Sequence, residues 1–321
     1  MNKIELITDL NSEKVEIYKE NKERQLVTYF EPAEGIFIAE SAKIIERALD
    51  AGYEPISVLC EVKDDVPRQA DTVERIQNAY PEVPVMGAEF EVLKELIGYN
   101  LTGGILCAMR RRKLPTVEEF LEGLETTSDP SEILEEKSSR PDSDKNKDYL
   151  KKDEKRDSFR QKRIVIFDNV ENPTNIGALF RSAAALGMDG VLLTSDCSDP
   201  LYRRAIRVSM GTVFQIPWTK LDDKWPKISV KMLHDRGYKL IGMALCENSV
   251  RIDDPAITTA DKVAIIMGNE GDGLSDATME CLDYKVKIPM YHGVDSLNVA
   301  AAGAVALYAL RNEGGNECTS L

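Results

Sequence analysis

The sequence predicts an α/β protein in two folded units, the second built on a parallel sheet with helices on both faces. Three observations predict it. From Ile164 onward, short continuous apolar runs alternate with helical patterns, as in strands buried on both faces. Residues 26–114 carry a smaller, separate set of strand and helix patterns. Between them, residues 115–161 are dense in both charge signs and poor in large apolar residues. Such a stretch cannot bury enough surface to offset its chain entropy, so it reads as a flexible, partly helical linker.

Taken in order, residues 1–25 read as a charged helical lead-in. Gly35–Ala39 is strand-like, and Ser41–Ala51 repeats Ile44, Ile45, Ala48 and Leu49 at helical spacing before Gly52 closes it. Ile56–Cys60 is a strand, Thr72–Tyr80 a helix, Val83–Met86 a short strand, Glu89–Ile97 a helix and Gly104–Met109 a strand. The unit ends on the basic run Arg110-Arg111-Arg112-Lys113. In the second unit, strands are expected at Ile164–Asp168, Gly190–Thr194, Val213–Ile216, Leu240–Leu245, Val263–Met267 and Lys285–Pro289. Helices are expected at Asn175–Leu186, Pro200–Met210, Asp222–Asp235 and Leu297–Arg311. Residues 162–321 form this second unit.

Composition narrows the function. With 321 residues, 43% hydrophobic and 30% charged, the chain has the make-up of a two-domain globular protein. No apolar run approaches the roughly 20 residues of a membrane span, and the N-terminus lacks a signal-peptide core. Six scattered cysteines without a C-x-x-C pair, and only two distant histidines, His234 and His292, argue against a metal site and for a cytoplasmic location. A net charge of −14 excludes a histone-like coating of nucleic acid, while leaving room for an RNA enzyme with a local basic patch.

In an open parallel sheet, ligands bind beyond the carboxyl ends of the strands, so the loops there matter most. The first runs from Asp168 to Arg181 and holds Asn172, Pro173, Asn175 and Gly177. Asn175 is placed to cap the following helix or to face the crevice. Arg181, about 1.5 turns on, is within reach of the same crevice, although a helical arginine also serves as a solvated face. The second loop, Gly268-Asn269-Glu270-Gly271-Asp272-Gly273-Leu274, packs three glycines around a carboxylate. The glycines let backbone approach a ligand or simply make a tight turn; Glu270 is harder to explain by packing. The third leads from Pro289 and Met290 through Ser296, Leu297 and Asn298 into an Ala-rich helix suited to close packing. Neither a dinucleotide G-x-G-x-x-G after the first strand nor a P-loop occurs, which counts against a dehydrogenase.

Together and in this order, the three loops resemble the motifs of the SpoU (TrmH-like) branch of the SPOUT RNA methyltransferases. The matching residues are N-P-x-N-x-G-A-x-x-R at 172–181, M-G-x-E-x-x-G-L at 267–274, and I-P-M followed by S-L-N-V-A at 296–300. The resemblance covers residues 162–312, about half the chain. It implies a SPOUT parallel-sheet domain with a deep trefoil knot, working as a homodimer whose sites draw on both subunits. The cofactor implied is S-adenosylmethionine, held by Gly268, Ile288, Met290 and Leu297, with Thr194 at the rim. The catalytic positions implied are Arg181, Asn175, Glu270, Ser296 and Asn298, acting on a ribose 2′-hydroxyl of rRNA or tRNA.

The pattern around Phe37–Lys43 resembles the small L30e-like RNA-binding domain of such enzymes, with Arg110, Arg111, Arg112 and Lys113 as RNA contacts. The long charged linker departs from the family pattern and leaves domain placement open. Base rather than ribose methylation, or a catalytically silent RNA-binding paralogue, are the alternatives. The sequence does not name the modified nucleotide.

Overall fold

A computed structural model describes residues 4–9, 11–19, 23–30, 34–64, 66–126, 161–221, 225–244, 246 and 248–312. The chain divides into two compact units: residues 1–113 with 199–215, and residues 114–198 with 216–321.

The first unit is a mixed sheet with helices. Its strands are β1 (Glu5–Leu6), β2 (Ile36–Glu40), β3 (Pro55–Lys63), β4 (Val66–Pro67), β5 (Val85–Ala88) and β6 (Ile105–Arg110), in the order β1-β5-β3-β6-β2 with β4 on β3. β6 lies antiparallel between β2 and β3, and β5 parallel to β3 and β1. Helices α1 (Glu23–Val27), α2 (Ala42–Asp50), α3 (Ala70–Ala79) and α4 (Phe90–Ile97) join them. Among the described residues of 1–25, a short strand and a 3-10 turn stand where a charged helix is expected. β1 pairs with β5, and a 3-10 turn at Glu13–Tyr18 sends Val15 and Tyr18 into the core. Val15 and Tyr18 are three apart, the period of a 3-10 turn, so both fall on one side while the charges stay outside. The buried Tyr18 hydroxyl shares a 2.7 Å hydrogen bond with Ser57.

Residues 199–215 complete this unit. Helix α7 (Arg203–Val208) packs on β2, and Phe214 meets the rings of Phe37 and Tyr53 at 5.5 and 5.2 Å. The strand expected at Val213–Ile216 is a 3-10 turn at Thr212–Phe214, entered through Gly211 at φ 79°.

The second unit is a seven-stranded, wholly parallel sheet. Its strands are β7 (Lys162–Phe167), β8 (Gly190–Leu193), β9 (Trp218–Lys220), β10 (Lys239–Met243), β11 (Val250–Arg251), β12 (Lys262–Met267) and β13 (Tyr284–Lys287), in the order β11-β13-β10-β12-β7-β8-β9. Apart from the partly exposed Lys162 and Lys262 at their starts, central β7 and β12 are buried, which their continuous apolar runs require. The exception to the apolar rule is Arg163, whose guanidinium is 1% exposed and spends its donors on the carbonyls of Leu310, Ala260 and Thr258.

The helices of this unit are α5 (Val117–Thr126), α6 (Pro173–Ala185), α8 (Lys227–Asp235), α9 (Pro255–Thr258), α10 (Asp276–Glu280) and α11 (Val299–Ala309). The expected linker therefore begins with a helix of the second unit. Phe120, Leu121 and Leu124 of α5 join a core with Ile164, Leu192, Leu233 and Leu240. Thr116 and Glu119 form a reciprocal capping box, with Glu119 N donating to Thr116 Oγ1 (3.2 Å) and Thr116 N to Glu119 Oε2 (2.8 Å). The rest of the expected linker, 127–160, lies outside the described residues. Helix α11 packs on α6, and Gly303 permits the approach, since a Cβ there would sit 2.4 Å from Leu179 Cδ2.

Candidate active site

Because every strand of the second sheet runs the same way, the loops after β7, β12 and β13 emerge at one end of it. In the first loop, Asp168 N donates to Met267 O (2.8 Å), continuing the β7–β12 ladder by one residue. Asn169 adopts the left-handed conformation (φ 56°), which asparagine tolerates better than most residues. Helix α6 is capped by Asn172, whose Oδ1 accepts from Thr174 N at 2.8 Å, with Pro173 in the first turn. The capping role considered for Asn175 thus belongs to Asn172. Asn175 lies inside the first turn, buried, and its Nδ2 donates to Glu270 Oε1 at 2.8 Å.

The second loop closes on itself. Asn269 N donates to Gly273 O (2.9 Å) and Gly273 N to Asn269 O (3.2 Å), while Asn269 Oδ1 accepts from Gly271 N at 2.7 Å. A Cβ on Gly268 would stand 2.5–2.7 Å from the backbone of Gly273 and Leu274, so the turn admits only glycine there. At its tip, Glu270 Oε1 accepts from both Asn175 Nδ2 and Asn172 N (3.2 Å), joining the second loop to the start of α6. Asn269 Nδ2 adds a 2.9 Å bond to Asn169 O.

The third loop borders a cavity of about 470 Å³ lined by Lys287, Ile288, Pro289, Met290, Val294 and Asp295. It ends at Asn298, which caps α11 by accepting from Ala300 N (3.0 Å) and donates from Nδ2 to Asn175 Oδ1 (3.3 Å). A directional relay results: Asn298 donates to Asn175, and Asn175 donates to Glu270. It draws one residue from each of the three loops, and each amide's orientation is fixed by its neighbours.

The structure thus brings Asn175, Glu270 and Asn298 together, with Gly268 at the base of the second loop and Ile288 and Met290 on the cavity wall. Ser296 and Leu297 are exposed on the third loop. Arg181 does not join them. Six residues from Asn175, it lies about 9 Å along α6 and about 120° around it. It is exposed and makes no hydrogen bond or ion pair among the described residues. Thr194 is not at the cavity rim either. It is buried after β8, and its hydroxyl accepts from Asn169 N at 2.9 Å, a structural duty.

Arg111, expected to contact RNA, is likewise committed: it is 9% exposed, donates to Ile36 O (3.0 Å) and pairs with Asp199 at 2.9 Å. Alternation beyond β6 turns Arg110 outward and Arg111 inward. Arg110 lies over the Phe30 ring, Arg112 over the Tyr53 ring, and Lys113 is exposed.

Sequence reasoning missed the buried Asp168, whose Oδ2 accepts from Thr278 Oγ1 at 2.7 Å. Burial pushes its carboxyl above the usual carboxylate range, and the Thr278 hydrogen bond opposes that shift. A polar residue directly after an apolar strand was the available signal.

Residues 162–308 match the SpoU rRNA Methylase family. Over 286 residues the chain is 29% identical to an uncharacterized tRNA/rRNA methyltransferase of Mycobacterium tuberculosis, covering 87% of this chain and 82% of that protein. Over 150 residues it is 33% identical to the 23S rRNA (guanosine(2553)-2′-O)-methyltransferase RlmP of Bacillus subtilis, covering 47% of this chain and 58% of RlmP. An AdoMet-bound rRNA methyltransferase from Sinorhizobium meliloti shares the fold, with a TM-score of 0.71 at 20% identity over 96% of this chain and 97% of that one. Residues 162–308 are thus a SpoU methylase domain.

Proposed function

We propose that the chain transfers the methyl group of S-adenosylmethionine to a ribose 2′-hydroxyl of rRNA or tRNA. The observation that carries this reading is the Asn298–Asn175–Glu270 relay, which ties all three motif loops beside a cavity of ligand size. The cavity fits the cofactor in character: Ile288, Pro289 and Met290 offer apolar wall, and Asp295 a carboxylate at the rim. Bound there, S-adenosylmethionine supplies an electrophilic methyl on a sulfonium.

The residues then have distinct duties. Gly268, Ile288, Met290 and Leu297 hold the cofactor. Glu270 keeps one oxygen on Asn175 and Asn172 N, and its other oxygen takes a hydrogen bond from the ribose. Ser296, at the mouth of the same loop, orients the substrate. A guanidinium is a poor base, so Arg181 acts by lowering the hydroxyl pKa and neutralising a substrate phosphate. Holding the two reactants in line provides much of the rate.

Arg181 faces away from its own chain's relay, which supports a homodimer in which each copy lends its arginine to the other's site. Exposed Val305 (43%) and Tyr308 (58%) on α11, the helix packed against α6, give such a dimer an apolar face. Arg110, Arg112 and Lys113 are the RNA contacts proposed for the first unit. The knotted chain path belongs to the same reading, as does a cytoplasmic location, in keeping with five unpaired cysteines among the described residues.

The test is transfer of labelled methyl from S-adenosylmethionine to unmodified tRNA and rRNA, followed by digestion to nucleosides, with Arg181→Ala beside the parent. Label in a 2′-O-methylnucleoside, lost in the variant, is the expected result. Label in a methylated base refutes the ribose assignment. Cofactor binding without transfer to either RNA favours a protein that only binds.

A further inference from the structure

Two consecutive residues of the first loop grip both ends of the second. At the entrance, Asn169 O accepts from Asn269 Nδ2 at 2.9 Å. At the exit, the Gly268–Leu274 turn runs into α10, whose N-cap is Ser275. Ser275 Oγ donates to Thr278 Oγ1 (3.0 Å), accepts from Thr278 N (3.2 Å), and Thr278 Oγ1 in turn donates to Asp168 Oδ2 (2.7 Å). The hydroxyls form a one-way chain ending on a carboxylate, and Thr278 is fully buried.

We propose that Asp168 is a positioning residue for the methyl-transfer site: through Thr278 it sets the exit of the Gly268–Leu274 turn, and so the placement of the Gly268 backbone and the Glu270 carboxylate. This rests on the reading of the site as a methyltransferase centre.

A carboxylate suits the task for two reasons. It only accepts, so Thr278 must donate to it and Ser275 to Thr278; an asparagine can turn its NH₂ to Thr278 and reverse the chain. A bond to a charged acceptor is also roughly twice as strong as a neutral one. The arrangement has a cost, because burial raises the Asp168 pKa, and Asp196 adds to the shift. For a group whose folded pKa is raised, the folded state favours the proton, and stability is lost as pH rises through that pKa. Burying the carboxylate therefore weighs against stability, and an amide of the same shape relieves that cost. Packing alone would be served at least as well by asparagine.

The experiment uses the full chain and measures S-adenosylmethionine affinity by calorimetry, methyl transfer, and Tm, for the parent, Asp168→Asn, Thr278→Val and Thr278→Ser. Asp168→Asn is expected to weaken cofactor affinity about tenfold, the scale of losing one charge-assisted bond, while Tm holds or rises. Thr278→Val weakens affinity similarly and lowers Tm, because it takes a hydroxyl donor from the buried carboxylate; Thr278→Ser restores most of the affinity. Parent affinity falls as acid protonates Asp168, and the Asp168→Asn profile loses that step. The titratable groups facing Asp168 are Asp196 and Cys197 after β8, and both remain in the variant.

Unchanged affinity and turnover in Asp168→Asn and Thr278→Val overturns the proposal, as does a fall in Tm with binding intact. Should Asp168→Asn fail to fold, the Thr278→Val and Thr278→Ser pair decides alone. A folded parent that binds no S-adenosylmethionine refutes the methyltransferase reading itself, and this proposal with it.

Discussion

Asn175 is the middle of the relay, and its removal tests whether the three loops work as one. Asn175→Ala deletes two hydrogen bonds: the 2.8 Å donation to the Glu270 carboxylate and the 3.3 Å acceptance from Asn298. The first is charge-assisted, worth about 1.5–3 kcal/mol, and the second is long and neutral, nearer 0.5 kcal/mol. Glu270 keeps Asn172 N at 3.2 Å and is itself exposed, so part of the first loss is recovered from water. The net expectation is about 2 kcal/mol of transition-state stabilisation, or roughly 30-fold in kcat/KM. The assay is methyl transfer by Asn175→Ala, Glu270→Ala and the double variant. If the amide acts by holding the carboxylate, the double variant is little worse than Glu270→Ala alone. Free-energy losses that simply add, to within about 0.5 kcal/mol, refute the idea that this bond couples the loops.

The dimer can be tested by mixing. If Arg181 serves the other copy's site, inactive Arg181→Ala and inactive Glu270→Ala chains co-refolded in equal amounts regain about a quarter of parent activity, since half the dimers are mixed and each holds one intact site; no recovery refutes a shared site. Arg111→Ala removes the ion pair from the buried Asp199 carboxylate and should lower stability by about 3–5 kcal/mol in denaturant melts. Arg110→Ala with Arg112→Ala should instead spare stability and flatten the salt dependence of RNA binding. Phe120→Ala, in a helix placed by sequence in a linker, should cost about 3–5 kcal/mol; a loss under 1 kcal/mol would mean α5 is not part of the core.

What could be read from sequence follows from range. Central strands such as Ile164–Phe167 and Val263–Met267 announce themselves because both faces are buried and the apolar run is unbroken. The motif loops were legible for a related reason, since Gly268 and Glu270 answer to no local pattern. Decisions between neighbouring asparagines were not. Asn172 and Asn175 both precede helical sequence, and Pro173 settles the helix start three residues earlier than a cap at Asn175 would.

Long-range commitments were the least visible. Arg111 reads as one more basic residue until Asp199, 88 positions away, is placed against it. Helix α5 was hidden by its surroundings: Phe120, Leu121 and Leu124 sit at the edge of a charge-dense stretch whose average composition masks them. The family resemblance puts Thr194 at the cofactor rim, yet the αL turn at Asn169 leaves a backbone N–H that its hydroxyl must satisfy.

The electrostatics of the relay bear on what must complete it. It contains one carboxylate and two amides but no cation, so it presents negative charge and acceptor capacity. On the proposed reading that suits a sulfonium, which needs no counter-cation, and disfavours a phosphodiester, which does. RNA must approach both. Within one chain the relay's only charged side chain is Glu270, and Arg181, about 120° around α6 from Asn175, does not join it. On the proposed homodimer reading, an arginine from a second copy would resolve the mismatch: the carboxylate would stay with the cofactor, and the cation would arrive only where two chains and the substrate backbone meet. The overall charge of −14 makes the same demand at larger scale, since an acidic surface repels RNA everywhere except where cations are concentrated. Selectivity for a correctly assembled dimer would then be built into the electrostatics of the site rather than added to it.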